Sequence, residues 1–309
     1  MSDVSKKIQE ILNDNNATIV NVMKIPETDI SFQKKYPHAD LTNSNFVARI
    51  KYHGKLAILK MITKENGSMS KLKRELFVYK NLRKQSKMWH DHLPVLYVYK
   101  QKPLPYLLIE DVGSEPLGVW FRISTKNVSD IKKAILAIQS LYKEKVRIPK
   151  KNILKNQNNF SFYLQKNIRI VKTLRAYDVL KRQNVWEKYK AYGLSVKNEW
   201  NLVKSTVISG DMVPSNIILS RDTVYFIDFQ LLTIGKVPLE YAYFFHAVIG
   251  SSFQDEIYQF ITQDICTPAE RKLFDFLLIH RILLSLRCPD KKKNKSCLIF
   301  LSRLLRFSL

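Results

Sequence analysis

The stretch SGDMVPSNIILSRDTVYFIDFQ, residues 209–230, sets three polar side chains among short apolar runs. Asp211 lies in GDMVPS, which the Gly and Pro indicate to be a loop. Asn216 precedes the apolar run IILS, and Asp228 follows the run TVYFI. Carboxylates are rarely buried without a partner or a metal ion, so this grouping indicates a site with a chemical role.

The runs NIILS and TVYFIDF predict two short strands joined by a turn at Arg-Asp, with Asn216 opening the first strand. A hairpin of this length returns its two ends to one place, so we expect Asn216 and Asp228 to lie within reach of one ion. Two oxygen ligands completed by water and phosphate describe a Mg²⁺ site. Asp211 is then the remaining carboxylate, and it can orient or deprotonate a hydroxyl.

Asp-x4-Asn followed by Ile-Asp-Phe resembles the catalytic loop and the metal-binding Asp of the aminoglycoside phosphotransferase and choline kinase superfamily, relatives of the protein kinases. The resemblance implies that Asp211 is the catalytic base and that Asn216 and Asp228 hold Mg²⁺. The final IDFQ is similar to the choline kinase-like and ecdysteroid kinase-like branches in particular. Ser209 stands where these relatives usually carry His, which leaves the support of the loop open without removing a chemical group.

The first third of the chain supports the same resemblance. FVARIKY-HGK-LAILKM predicts a β-hairpin, SKLKRELFVYKNLRK a helix, and PVLYVYK and PYLLIEDV two further strands. By the resemblance, Lys60 at the end of LAILK binds the α- and β-phosphates of ATP, and Glu75 of the helix pairs with Lys60. The other implied nucleotide-binding residues are Ser44 and Asn45 in the covering loop, Glu110 and Val112 at the hinge, and the gatekeeper Ile109.

The implied fold is α+β and bilobal, like that of the protein kinases. We expect a nucleotide-binding lobe at residues 1–112, built from an antiparallel sheet plus a helix. A larger, mainly helical lobe at residues 113–309 is expected to carry the catalytic loop and the substrate site.

Several side chains of the second lobe allow two interpretations. Glu240 in PLEYAYFF either braces the catalytic loop or stabilises a helix N-terminus. The aromatic residues Phe160–Tyr163 and the histidines His246 and His280 are interpreted as core residues. The tail KKKNKSCLIFLSRLLRFSL is interpreted as a terminal helix packed on this lobe, with a membrane contact as the alternative.

Composition bounds the class of protein. The 309 residues are 46% hydrophobic and 25% charged, which is typical of a folded globular chain and excludes a disordered or low-complexity one. We predict a cytoplasmic protein, because the N-terminus lacks the apolar core of a signal peptide, no stretch is long enough to span a bilayer, and the cysteines number three. The net charge of +24 indicates either an anionic partner, such as a membrane surface or nucleic acid, or a compositional bias of the genome.

These observations predict an ATP- and Mg²⁺-dependent phosphotransferase that acts on a hydroxyl of a small molecule, such as a sugar or an amino alcohol. Residues 150–205 hold only three acids against thirteen Lys and Arg, which disfavours a polycationic antibiotic as the acceptor. Two alternatives remain. One is a kinase for an anionic macromolecule, such as a phosphorylated glycolipid or RNA. The other is a catalytically weak module that binds nucleotide or nucleic acid.

Overall fold

The computed structural model describes residues 3–26, 40–42, 45–63, 68–102, 104–113, 115–119, 121–149, 160–161, 163, 184–286 and 290–306. The chain divides into two compact units. The first consists of Met1–Ser114 with Tyr225–Gln230, and the second of Glu115–Val224 with Leu231–Leu309.

A six-stranded sheet forms the frame of the first unit. Five antiparallel strands follow the order β1, β3, β4, β6, β5, and the short β2 pairs with β1 in parallel at one edge. The strands are β1 (Ala17–Pro26), β2 (Asp40–Thr42), β3 (Asn45–Tyr52), β4 (Lys55–Ile62), β5 (Leu96–Lys100) and β6 (Tyr106–Glu110).

The β3–β4 hairpin, predicted from the alternating apolar residues and the His-Gly-Lys turn, is confirmed. Its register runs from Asn45 opposite Ile62 to Tyr52 opposite Lys55. His53 and Gly54 form the turn with φ of 45° and 78°, the left-handed values that a two-residue type I′ turn requires. Lys60 therefore sits on a central strand, since β4 is flanked by β3 and β6.

Helices flank this sheet. Helix α1 (Asp3–Asp14) buries Ile8, Ile11 and Leu12 in the core cluster that the inner faces of the strands also form. Helix α2 (Ser68–Phe77) continues through a π-helical turn (Val78–Leu82) and a short turn (Arg83–Gln85). Helix α3 (Lys87–Asp91) follows Ser86, whose hydroxyl accepts the Met88 amide over 3.1 Å as an N-cap.

The second unit is mainly helical. Its helices are α4 (Val128–Lys143), α5 (Val185–Ser195), α6 (Lys197–Leu202), α7 (Val237–Val248), α8 (Gln254–Gln259), which continues into a π-helical segment (Phe260–Ile265), α9 (Pro268–Ser285) and α10 (Lys291–Leu305). Three small two-stranded sheets complete it: β7 (Gly118–Val119) with β8 (Arg122–Ile123), β9 (Thr206–Ile208) with β12 (Thr233–Gly235), and β10 (Ile217–Ser220) with β11 (Thr223–Phe226).

The terminal helix α10 packs on the second unit, as interpreted from the sequence. Its Cys297, Phe300 and Leu301 are buried. The Lys293 ammonium donates to the carbonyls of His246 at 2.6 Å and of Ile249 at 2.7 Å, where α7 ends. A cation at these positions satisfies orphan carbonyls and complements the negative end of the helix dipole.

The aromatic residues also pack as interpreted. Phe160 lies 5.3 Å from the Phe276 ring, and Tyr163 lies 5.0 Å from the His280 ring, centroid to centroid. His246 is fully buried, and burial lowers its pKa well below the ordinary value.

The predicted α+β class, with an antiparallel sheet plus helix followed by a mainly helical part, is confirmed. Within the described ranges, none of the helices combines the length and the apolar character needed to cross a membrane.

Candidate active site

Lys60, Glu75 and Asp228 come together in the first unit. The Lys60 ammonium lies 2.6 Å from the Glu75 carboxylate and 3.2 Å from that of Asp228. The Glu75 side chain is almost completely buried, whereas that of Asp228 is 34% exposed. One cation is thus held between a buried acid that fixes its position and an acid that still meets solvent.

The two carboxylates set the charge state of Lys60. Burial lowers the Lys60 pKa, but the attraction of Asp228 and Glu75 outweighs burial, so this pKa lies above its ordinary value. Burial raises the pKa of Glu75 against the opposing effect of Lys60. The Tyr79 hydroxyl donates to the other Glu75 oxygen over 3.3 Å and helps to fix this carboxylate.

Asp228 reaches this position because residues 225–230 belong to the first unit. The Phe229 ring is buried against Trp89, with centroids 5.8 Å apart. Arg74 donates to the Gln230 carbonyl over 2.5 Å. Between these anchors Asp228 adopts a left-handed backbone with φ of 61°, which Asp tolerates better than most residues and which occurs often at functional sites.

The predicted hinge residues end strand β6 of the same unit. Ile109 is buried opposite Ile58 of β4, and the Glu110 amide donates to the Val95 carbonyl over 2.8 Å. Val112 lies two residues beyond the end of β6 and is buried. Adenine binding by these residues stays a prediction.

An ion pair next to the hinge was missed in the sequence. Arg49 of β3 contacts the Asp111 carboxylate, and its guanidinium also donates to the Gly113 carbonyl over 3.4 Å. Arg49 lies in the predicted hairpin and Asp111 in the predicted hinge segment, but nothing in the sequence relates the two residues to each other. Of the predicted covering loop, Asn45 is the first residue of β3, and Ser44 lies outside the described residues.

Asp211 and Asn216 come together in the second unit, in the loop that follows β9. The Asn216 side-chain amide donates to the Asp211 carbonyl over 2.8 Å, which leaves its oxygen as the atom able to bind a metal. The prediction that Asn216 opens a strand is wrong. Asn216 closes a 3₁₀ turn, Pro214–Asn216, because its amide donates to the Val213 carbonyl, and β10 begins at Ile217.

Ser209 fixes this loop through two hydrogen bonds. It is buried, its hydroxyl accepts the Asp211 amide over 3.1 Å, and its own amide donates to the Tyr142 hydroxyl over 3.1 Å. Ser209 thus fixes the backbone of Asp211 directly.

Glu240 braces the loop from α7. Its carboxylate accepts the Gly210 amide over 2.7 Å and the Tyr142 hydroxyl over 3.4 Å. Glu240 also lies in the first turn of α7. Both interpretations from the sequence, a brace of the loop and an acid at a helix N-terminus, therefore describe its position. Burial raises the pKa of Glu240 to about 8, with the Gly210 hydrogen bond opposing and Asp211 adding to the effect.

The predicted site residues thus form two groups, each within one unit. The first unit holds Lys60, Glu75 and Asp228 as a contact cluster, with the hinge at the end of β6. The second unit holds the loop with Asp211 and Asn216. That both groups serve one nucleotide-bound ion stays a prediction. The Asp228 carboxylate and the Asn216 oxygen are hard oxygen donors of the kind that Mg²⁺ takes.

No protein-family model matches the sequence, and no curated protein is similar enough to match it. Solved structures match over almost the whole chain. The GDP complex of aminoglycoside 2′-phosphotransferase-IIIa has 16% identity and a TM-score of 0.59, covering 98% of this chain and 97% of its own. A choline kinase from Streptococcus pneumoniae has 14% identity and a TM-score of 0.57, covering 99% of both chains.

A third similar structure is a microcompartment-associated aminopropanol kinase, with 13% identity and a TM-score of 0.61, covering 98% of this chain and 95% of its own. At such identities the likeness establishes the fold. The resemblance found in the sequence is therefore confirmed at this level: the chain has the fold shared by the aminoglycoside phosphotransferases and the choline kinases.

Proposed function

We propose that this protein transfers the γ-phosphate of ATP to a hydroxyl of a small molecule in the presence of Mg²⁺. The observation that carries the proposal is the Lys60 ammonium held between Glu75 and the partly exposed Asp228. A purely structural ion pair needs one acid. The second, solvent-facing acid, Asp228, can bind a metal cation. The Lys60 ammonium between the two acids can bind a phosphate group.

Each residue has a proposed role. Lys60 balances the negative charge that moves toward the β-phosphate as the bond to the γ-phosphorus breaks. Asp228 and the Asn216 oxygen are the proposed ligands of Mg²⁺, which when bound screens the phosphate oxygens. The hinge at Glu110 and Val112 is proposed to bind adenine.

Asp211 is the proposed base. The acceptor oxygen forms a bond to the γ-phosphorus, the bond to the bridging oxygen breaks, ADP leaves, and the hydroxyl proton passes to the Asp211 carboxylate. Because the transition state is loose, most of the acceleration comes from alignment. The hydrogen bonds that Ser209, Asn216 and Glu240 make to the loop supply that alignment.

An amino alcohol or a sugar is the first candidate acceptor, since similar structures include a choline kinase and an aminopropanol kinase. An acceptor with an anionic group is the second. Tyr243 follows Glu240 by one turn of α7, and the buried Arg281 guanidinium stacks 4.4 Å from the Tyr243 ring centre. Burial raises the pKa of Tyr243, with the charge of Arg281 opposing and those of Asp211 and Glu240 adding to the effect. A cation within electrostatic range of a residue that also senses the proposed base favours a phosphate or carboxylate on the acceptor.

The test is incubation of the protein with γ-labelled ATP, Mg²⁺ and a metabolite extract, followed by separation of the labelled products. We expect one labelled small molecule with the native chain and none with Asp211→Asn, whose melting temperature serves as the folding control. The charge of the labelled product distinguishes the two acceptor classes. Equal labelling with both proteins, or ATP binding without any transfer, would refute the proposal.

A further inference from the structure

A second concave site lies in the first unit, apart from the Lys60 cluster. It has a volume of about 950 Å³, and its lining includes four basic residues, Lys80, Arg83, Lys84 and Lys87, and two tyrosines of β5, Tyr97 and Tyr99. We name this site the basic groove. One wall is the helical segment that follows α2, and the other is β5, which is the edge strand of the sheet.

The charge of the basic groove has one sign. Lys80, Arg83, Lys84 and Lys87 line the groove from the π-helical turn, the short turn after it and the start of α3, and none of the lining residues is acidic. The acids next to the lining residues have partners in the described part of the chain: the His90 ring contacts Asp91 over 3.0 Å, the Val95 amide donates to Glu110 over 3.1 Å, and Lys60 pairs with Glu75. Four permanent cations around one concavity concentrate a positive potential there, which favours a ligand with several negative charges.

Arg83 adds a separate observation. Its Nε is buried and has no hydrogen-bond acceptor in the described part of the chain. A buried donor without an acceptor is costly, so such atoms need an explanation in a folded protein. An anionic oxygen in the groove, bound through the same guanidinium, would supply a charge partner that the described residues do not give this side chain.

The opposite wall identifies the kind of anion. Tyr97 and Tyr99 of β5 are half-buried, and both line the groove. Aromatic side chains beside a basic groove are the usual means of binding single-stranded nucleic acid, since bases stack on the rings while cations follow the phosphates. A planar bilayer fits poorly, because the cations line a concavity and Leu96 is the only aliphatic side chain in it.

We propose that the basic groove binds single-stranded nucleic acid, with its lysines and Arg83 on the phosphates and its tyrosines against the bases. The inference does not depend on the proposed phosphotransfer. The two sites are neighbours, however, because Tyr79 lines the groove and donates to Glu75 of the Lys60 cluster.

The test is fluorescence anisotropy of labelled single-stranded oligonucleotides of about 12 residues, RNA and DNA, in the absence of ATP and over a range of salt. The groove variant combines Lys80→Gln, Lys84→Gln and Lys87→Gln, all at exposed positions. The control variant removes equal charge from the second unit through Lys126→Gln, Lys145→Gln and Lys190→Gln, which are also exposed.

We expect the groove variant to bind the oligonucleotides about tenfold or more weakly, whereas the affinity of the control variant should change by less than about threefold. For the groove variant, the slope of log affinity against log salt concentration should be smaller in magnitude by about two. A Tyr99→Ala variant is expected to lose about 5- to 100-fold in oligonucleotide affinity and to keep its affinity for inorganic polyphosphate. That split separates base stacking from simple attraction of phosphate.

Three results would overturn the proposal. The groove and control variants could weaken oligonucleotide binding equally, which would show that binding depends on the net charge of the protein and not on the groove. Polyphosphate could respond to Tyr99→Ala as strongly as the oligonucleotides, which would exclude base stacking. Vesicles with anionic lipid or an acidic peptide could bind in a groove-dependent way while oligonucleotides do not, which would assign the groove to another class of partner.

Discussion

The Gly210 amide donates to the Glu240 carboxylate over 2.7 Å and so anchors the residue before Asp211 to helix α7. This acid is fully buried, and its pKa is raised to about 8. The position of the loop that carries Asp211 therefore depends on a carboxyl group that binds a proton more tightly in the folded chain than in the unfolded one. Stability should for this reason depend on pH.

The sign of this dependence follows from linkage. A carboxyl group whose pKa is higher in the folded than in the unfolded chain stabilises the folded state most strongly below its unfolded pKa, near 4.3. That stabilisation is lost as the pH rises toward the folded pKa, here about 8. The native chain should therefore lose stability relative to Glu240→Gln by about 2 to 4 kcal/mol between pH 5 and pH 8.5. Urea denaturation of both proteins at several pH values measures the difference. A difference that stays constant over this range would contradict the raised pKa.

The Lys60 and Glu75 pair predicts a non-additive mutant cycle. Glu75→Gln leaves a buried ammonium with Asp228 alone and should cost about 2 to 3 kcal/mol. The double variant Lys60→Met with Glu75→Gln should cost at least about 1 kcal/mol less than the sum of the two single changes, since both buried charges are then removed and only the solvent-facing Asp228 stays charged. Denaturation midpoints of the four proteins give the coupling, and additive costs would show that the two charges do not interact.

Ser209 should matter for rate more than for stability. Ser209→Ala removes the acceptor of the Asp211 amide, while the amide of residue 209 can still donate to Tyr142. We expect kcat to fall about 5- to 20-fold with little change in KM for ATP, because a misplaced base affects the transition state. Ser209→Thr, which keeps the hydroxyl, serves as the control and should restore most of kcat. A native kcat in the Ala variant would remove Ser209 from the positioning of the loop.

Lys293 is predicted to stabilise the second unit through the end of α7. Lys293→Met leaves the carbonyls of His246 and Ile249 without their buried donor and should cost about 2 to 4 kcal/mol. The neighbouring Lys292 is exposed, so Lys292→Met should change stability by less than about 0.5 kcal/mol. Thermal unfolding of both variants tests the pair, and equal losses would show that the hydrogen bonds of Lys293 are not the cause.

Local pattern was sufficient for much of the fold. The β3–β4 hairpin, strands β5 and β6, and the hairpin of β10 and β11 follow from alternating apolar residues and turn signals. Lys60, Glu75 and Asp228 were singled out from three distant segments, and they are in contact. The order of motifs carried this information, since each motif alone is too short to be specific.

The supports of the site were less accessible to sequence reasoning. The brace by Tyr142 and the ion pair between Arg49 and Asp111 join residues that no periodicity relates. The small β9–β12 pairing was also missed, because each strand has only three residues. Such contacts depend on tertiary packing, which a single sequence does not display.

The central claim is that Asp211 acts on a nucleotide held by Lys60, and slow hydrolysis of ATP by the protein, with water in place of the acceptor, tests it most directly. We predict Mg²⁺-dependent ADP formation by the native chain. Asp211→Asn should form ADP about 10²- to 10⁴-fold more slowly, with its ATP affinity unchanged within about threefold. Lys60→Met should bind ATP more weakly. A native rate in Asp211→Asn, or ATP binding that does not respond to Lys60→Met, would contradict the account.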